Sequence, residues 1–232
     1  MINKKSNSAR FSLFIVLVVI QWLSRPAMAI EGSNSVQEDR ADISQLILHW
    51  GYFRDHGMWP ELAETFHPEG SIQVTWYTGP FTGFVEASRD MAARGAKSVH
   101  VMNPSIIDVN GDRAISITPV KIMARAKIAL GVEVDLVSEA QFFDFVERRD
   151  GEWRILRRVC IYQKDRMDSV LPSLRYWLLG LLMPTGQYDP AYKHLALALS
   201  KQGYEIKPGQ VVDQSESSAK LYAEGQAWLR KK

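Results

Sequence analysis

Five histidines and one cysteine bound the side-chain chemistry open to this chain. His49 and His56 stand seven residues apart, with no carboxylate or cysteine at the spacing of an H-E-x-x-H helix. His67 and His194 supply no partner either, so the pattern argues against a metal centre and calls for no cofactor. There is no G-x-S-x-G elbow to present a serine nucleophile and no glycine-rich loop to cradle a phosphate. Proton transfer remains. Imidazole titrates near neutrality, and a carboxylate bonded to it fixes its tautomer and stabilises the imidazolium. His100 lies between Val99 and Val101, in an alternation that puts it on one strand face with Met102. Asp55 ends a helix in the run Asp55-His56-Gly57-Met58-Trp59. Each residue has a plainer reading. His100 could be a hydrogen-bonded core histidine, and Asp55 could bond the Gly57 or Met58 backbone. On a regular helix Asp55 falls about 130° from the centre of the apolar stripe, and Arg54 falls nearer to it. Cys160 reads as a small buried apolar residue, and one thiol excludes an intrachain disulfide.

The elements that must position these residues follow from pattern. Residues 30–39 read as a polar lead-in, and Asp42 as a helix cap with Gln45 reaching back. Ile43, Leu46, Ile47, Trp50 and Arg54 then recur at helical spacing until Gly57. Trp59-Pro60 opens a short second helix that turns Leu62, Ala63 and Phe66 inward, and His67-Pro68-Glu69-Gly70 reads as a turn. Ile72, Val74 and Trp76 alternate as a strand closed by Gly79-Pro80, and residues 83–93 read as a third helix. Four extended runs follow, at 98–109, 113–128, 132–148 and 153–164. Asn110-Gly111-Asp112 and Arg149-Asp150-Gly151 are hairpin signals, so these strands pair antiparallel. Helices followed by a strand meander predict an α+β fold, with the helices on one face of a curved antiparallel sheet. Beyond residue 165 the period turns helical. Val170, Leu171, Leu174, Trp177, Leu178, Leu181 and Leu182 form one segment. A second opens at Asp189-Pro190, carries Leu195, Leu197 and Leu199, and stops at Gly203. A third spans 215–229. The expected organisation is a leader at 1–29, a domain at 30–165 and a helical extension at 166–232.

Charge sets the remaining bounds. The 232-residue chain has 28 basic and 26 acidic residues. Four of the basic residues, Lys4, Lys5, Arg10 and Arg25, lie in the first 29, which hold no acid. The rest therefore carries 24 against 26, a net charge of −2. A nucleic-acid surface is not expected from that balance. With 46% apolar residues the chain supports one good core. The basic head, the 13-residue apolar run FSLFIVLVVIQWL and the following Ala27-Met28-Ala29 have the order of a secretory signal peptide. Export to a periplasmic or extracellular location is expected. A run that short falls below the ~20 residues a bilayer span needs, so the mature chain is expected to have no membrane span.

The residues in this order resemble the SnoaL-like branch of the nuclear transport factor 2-like superfamily. The resemblance is carried by Tyr52-Phe53-Arg54-Asp55 ending the first helix, His56-Gly57-Met58-Trp59, and Leu62 to Phe66. It continues in His100-x-x-Asn103-x-x-Ile106, Asn110-Gly111-Asp112-Arg113-Ala114, and Asp150-Gly151-Glu152-Trp153-Arg154-Ile155. It covers roughly residues 40–165. It implies a cone in which a curved sheet wraps around helices and encloses a ligand cavity. The superfamily includes ketosteroid isomerase, scytalone dehydratase, limonene epoxide hydrolase and bile acid 7α-dehydratase, beside members without catalytic activity.

In bile-acid-type dehydratases an Asp late in the first helix and a His on a strand handle the proton. Asp55 and His100 match them. The Tyr one turn before that Asp falls at Trp50, the final-strand Arg at Cys160, and a second strand Asp near Lys121 or Ile122. In such a cone Trp50, Tyr52, Tyr77, Asn103 and Tyr162 are the candidates to line the cavity. Arg157 and Arg158, on opposite faces of the last strand, offer one inward cation or two surface ion pairs. The resemblance thus implies a dehydratase or isomerase acting on a hydrophobic, oxygenated, polycyclic small molecule. The alternative is a binding or assembly module without turnover. The apolar stretch Tyr176 to Met183 is expected to dock over the cone mouth or against its sheet. Its other readings are a homo-oligomer contact and a membrane-surface element.

Overall fold

The computed structural model describes residues 35–230. The leader, and with it the signal-peptide reading, lies outside them. The first helix, α1 (Val36–His56), starts earlier than Asp42. Its cap is Ser35: the Ser35 hydroxyl accepts the Glu38 N–H at 3.2 Å, and the Glu38 carboxylate accepts the Ser35 N–H at 2.7 Å. Tertiary bonds hold the added turn. Asp39 is buried and accepts from Arg148 Nη1 at 2.6 Å and Trp153 Nε1 at 3.0 Å. The sequence thus carries two capping signals, and the one whose turn is anchored to the sheet prevails. Gly57 ends α1 in the left-handed region at φ 70°, where a side chain would be strained.

After α2 (Trp59–Glu64) comes β1 (Phe66–Val74), which absorbs the expected His67–Gly70 turn as an irregularity in its pairing. His67 is buried there, its Nε2 3.0 Å from the Glu147 carbonyl. Strand β2 (Tyr77–Pro80) folds back on β1, leaving Trp76 in the turn, and α3 (Phe81–Ala93) follows. The expected 98–109 strand is two, β3 (Ser98–Met102) and β4 (Ile106–Asn110), both pairing with β5 (Arg113–Lys127). The break falls around Pro104, which has no N–H to give a ladder. Strands β6 (Glu133–Arg149) and β7 (Glu152–Ser169) complete the meander. Asp150 and Gly151 both take positive φ, 53° and 83°, as a two-residue hairpin of this twist requires. The sheet order is β2-β1-β7-β6-β5-β3, antiparallel except that β1 runs parallel to β7.

Both faces of this sheet are covered. On one, Trp50, Phe84 and Phe142 belong to the largest apolar cluster. On the other, Phe143, Phe145, Val159 and Ile161 pack under α6 (Glu216–Arg230) through Leu221, Tyr222 and Trp228. Alternation along β6 sends Phe142 and Phe143 to opposite faces, and burying an apolar side chain of that size is worth about 1.5–3 kcal/mol. Helix α6 comes so close that a methyl group on Gly225 would stand 2.4 Å from the Phe143 ring.

Residues beyond 165 are less purely helical than their pattern suggests. Strand β7 runs on to Ser169, and β8 (Val211–Val212) adds parallel to β7. Between them lie α4 (Leu174–Gly180) and α5 (Lys193–Lys201). Tyr176, Leu179 and Met183 pack against the main core. Leu174, Trp177, Leu178, Leu181 and Leu182 stay exposed. Among the described residues no helix is long and apolar enough to cross a membrane.

Candidate active site

The apolar stripe of α1 buries Ile43, Ile47, Trp50 and Arg54 in successive turns. Asp55, one residue round the helix from Arg54, therefore points along the edge of the packed face, towards β3. The Gly57 cap disposes of the helix end without it, because the Gly57 and Met58 N–H groups both bond the Phe53 carbonyl. The Asp55 carboxylate is thus left for a tertiary partner, and that partner is His100. Its Oδ1 lies 2.6 Å from His100 Nδ1, and its Oδ2 accepts the His100 backbone N–H at 2.6 Å. Strand β3 ends the path of the sheet, so Asp55 fills the place of a further strand along that edge. The two side chains are 9% and 11% exposed for His100 and Asp55 respectively, so water competes little for these bonds.

A carboxylate only accepts hydrogen bonds, so Nδ1 donates and the neutral ring keeps its lone pair on Nε2. Nε2 has no hydrogen bond among the described residues. His100 lines a cavity of about 470 Å³. The edge of the ring meets Trp50 at 5.5 Å between centroids and 82° between planes, which fixes its tilt as Asp55 fixes its rotation. Asp55 stands behind the ring and is absent from the cavity wall.

That wall is mainly apolar, formed by Trp50, Trp76, Phe84, Leu136, Phe142 and Leu195 among others. Tyr162, fully buried, also faces it. Its hydroxyl accepts the Thr75 N–H at 2.8 Å and bonds the Thr75 hydroxyl. Burial pushes that phenol well above its ordinary range, so it stays protonated. Below the wall Arg158 and Asp144 form a wholly buried bidentate pair at 2.6 and 2.8 Å. The Arg158 guanidinium lies 4.3 Å from the Trp50 and Phe142 ring centroids. Burial pushes the Asp144 carboxyl up, and Arg158 opposes it. Arg157 turns outward to Glu224 on α6. Neither Arg157 nor Arg158 lines the cavity.

Trp50, His100 and Tyr162 therefore share one cavity, with Asp55 behind the imidazole. Tyr52, Tyr77 and Asn103 do not line it. Tyr52 is exposed and stacks on His56 at 4.0 Å, on the solvent side of α1. The Tyr77 hydroxyl donates to the Pro80 carbonyl at the other end of β2. Asn103 is exposed and donates to the Pro119 carbonyl where β3 gives way to β4. Polarity and sequence position alone do not separate these from the inward residues; the side of each element does.

Two contributors to the wall lie outside the expected set. Leu195, Ala198 and Leu199 of α5, with Tyr204 beyond it, close one side from the extension. Their signal was the apolar pair at i and i+4. Arg54 is the other, and its signal was a cation inside the apolar stripe. It is 8% exposed, and among the described residues it makes no ion pair. Nη2 approaches Met91 Sδ at 3.7 Å, and the guanidinium lies about 6 Å from the Trp59 and Phe84 rings. Burial pulls Arg54 below its ordinary range, against the pull of neighbouring Asp55. Arg94, Lys97, Arg125 and Lys127 also line the cavity, and among the described residues no Asp or Glu does. Among the described residues no three His, Cys, Asp or Glu side chains gather as metal ligands would.

Comparison with known proteins bears on the family of the chain. The profile of a family described as a SnoaL-like domain matches residues 35–159. Pea pathogenicity protein 2 of Fusarium vanettenii is 28% identical over 177 residues, 75% of each chain. An uncharacterised protein of Aspergillus terreus is 30% identical over 203 residues, covering 79% of this chain and 74% of its own. Among solved structures, a hexachlorocyclohexane dehydrochlorinase from Novosphingobium barchaimii is 18% identical with a TM-score of 0.45. That match covers 60% of this chain and 92% of the dehydrochlorinase.

Proposed function

Since the chain belongs to the SnoaL-like domain family, we propose that it performs cofactor-independent proton chemistry, as a dehydratase or isomerase, on a hydrophobic oxygenated small molecule. One observation carries the reading. The imidazole of His100 is gripped through Nδ1 and its own backbone N–H by a single carboxylate, while its ring borders an apolar cavity. This is the arrangement a general base needs: fixed tautomer, fixed orientation, and a neighbour that stabilises the cation it becomes. Low local polarity makes that stabilisation stronger than in water.

In the dehydration, His100 Nε2 takes a proton from the carbon beside the carbinol carbon. The C–H electron pair becomes the new C=C bond as the C–O bond breaks. The imidazolium, held by Asp55, returns its proton to the departing oxygen, which leaves as water. Isomerisation uses the same base and returns the proton to another carbon. The polycyclic character of the substrate comes from the family resemblance, and 470 Å³ is ample for several fused rings.

The test is turnover of a panel of polycyclic β-hydroxy ketones, followed by the ultraviolet absorbance of the enone. Wild type should act on at least one, and His100→Ala should abolish that activity. Unaltered turnover in the variant discards the reading. No turnover by wild type favours a binding module, whose merit is that Trp50 and Cys160 stand where related dehydratases use Tyr and Arg. We also propose export, on the order of basic head, short apolar run and Ala-x-Ala in residues 1–29. N-terminal sequencing of protein recovered from the producing cells should begin near Ile30, and a start at Met1 argues against cleavage.

A further inference from the structure

Two arginines are buried beside the same aromatic cluster, and the fold treats them in opposite ways. Arg158 is matched by Asp144 through two short bonds. Arg54 faces the cavity with a thioether and two ring faces for company, and makes no ion pair among the described residues. The nearest carboxylate in sequence, Asp55, is spent on His100. A guanidinium stays charged in a protein, and desolvating it without a partner is unfavourable. The rest of the cavity makes the imbalance larger, because its other charged lining residues are all basic. Arg125 is answered by Asp135, and Arg94 bonds the Tyr204 hydroxyl. Lys97 and Lys127 are exposed at the rim.

We propose that the cavity takes a hydrophobic anion, an aromatic or polycyclic carboxylate, whose charged group seats on Arg54 while its ring body lies against Trp50, Phe84 and Phe142. This names the substrate class of the site and rests on the reading of His100 as its base; the charge anchor itself is a binding property that stands apart from turnover. A carboxylate on Arg54 supplies the missing counter-ion in a site sheltered from water, where charge-assisted hydrogen bonds are strong. It also orients the ligand. Arg54 and Asp55 are consecutive on α1, so a group anchored on the first holds the adjoining carbons towards the imidazole gripped by the second.

The experiment is equilibrium binding by calorimetry, with 2-naphthoate and its neutral isostere 2-naphthamide as probes. The purified chain should bind naphthoate more tightly than naphthamide, by roughly tenfold to a hundredfold. Arg54→Met should bind the two alike, and Arg54→Lys should keep part of the preference. A Lys97→Met/Lys127→Met double variant should keep most of it. His100→Gln should keep the preference and lose turnover, which separates failure of the anchor from failure of the base. The proposal is overturned if wild type binds both probes equally or binds naphthoate not at all at millimolar concentration. It is also overturned if the preference survives in a folded Arg54→Met chain or disappears with the rim lysines. Should Arg54→Met not fold, the wild-type pair of affinities and the Lys variants decide.

Discussion

The chain builds the same small device twice. At β3, Asp55 of α1 holds both the backbone N–H and Nδ1 of His100, each at 2.6 Å. At the start of α5, Asp165 holds both the backbone N–H and Nδ1 of His194, at 2.7 and 2.8 Å. By bonding alone the two are near equals. Their surroundings part them. Asp165 also accepts the Leu195 N–H at 2.8 Å, so a fully buried carboxylate satisfies two orphan donors in the first turn of α5 and meets the positive end of its dipole. That is a helix cap supplied by a neighbouring strand. His194 is 23% exposed in its side chain and has no place in the cavity wall, whereas the His100 ring borders that cavity beside Trp50. The comparison teaches that an Asp–His pair is a positioning unit, and that what its second ring nitrogen faces decides whether the unit can serve catalysis.

The comparison can be broken at either pair. The largest effect is expected from His100→Gln, which should lower turnover by about 10²–10⁴-fold, against less than about twofold for His194→Gln in the same assay. Equal losses would mean that the two pairs are both structural. Asp55→Asn comes next. Its amide can offer an N–H to Nδ1 and turn the proton to Nε2, so turnover should fall by roughly a hundredfold or more while the fold persists. Full activity in that variant would show that tautomer control is irrelevant here. Asp165→Ala should cost about 1–2 kcal/mol in urea unfolding and leave turnover per folded molecule near wild type, because it removes a cap and no chemistry.

The smallest effect is a control on the others. Burial pushes the Cys160 thiol up to about 12, so at pH 8 the thiolate fraction is negligible. Iodoacetamide should leave Cys160 unmodified in wild type, His100→Gln and Asp55→Asn alike, and label it on unfolding, as read by intact mass. Labelling in a native variant would trace its lost activity to a loosened core.

Much of this architecture is legible in the sequence. Gly57 stops α1 where the pattern stops, and Asp150-Gly151 makes the hairpin its composition calls for. The errors share a cause. Asp42 looked like a cap because capping motifs are local, and Ser35 prevails because Asp39 is tied to Arg148 and Trp153 more than a hundred residues away. His67-Pro68-Glu69-Gly70 looked like a turn because its composition is that of one, yet pairing with β7 on either side draws it into a strand. Tyr52 carried the right chemistry on the solvent side of α1, and Asn103 falls in the break between β3 and β4.

Sequence by itself determined the α+β class, the helices-then-meander succession, the stripe of α1 and the candidate acid and base, because periodicity, caps and turns are written in neighbouring residues. Only the tertiary structure decided that Asp55 reaches across 45 positions to His100, that Asp144 neutralises Arg158, and that Arg54 has no ion pair among the described residues. The physical reason is that charges distant in the chain meet only where strand register and sheet curvature bring them together, and one register step would reassign every partner.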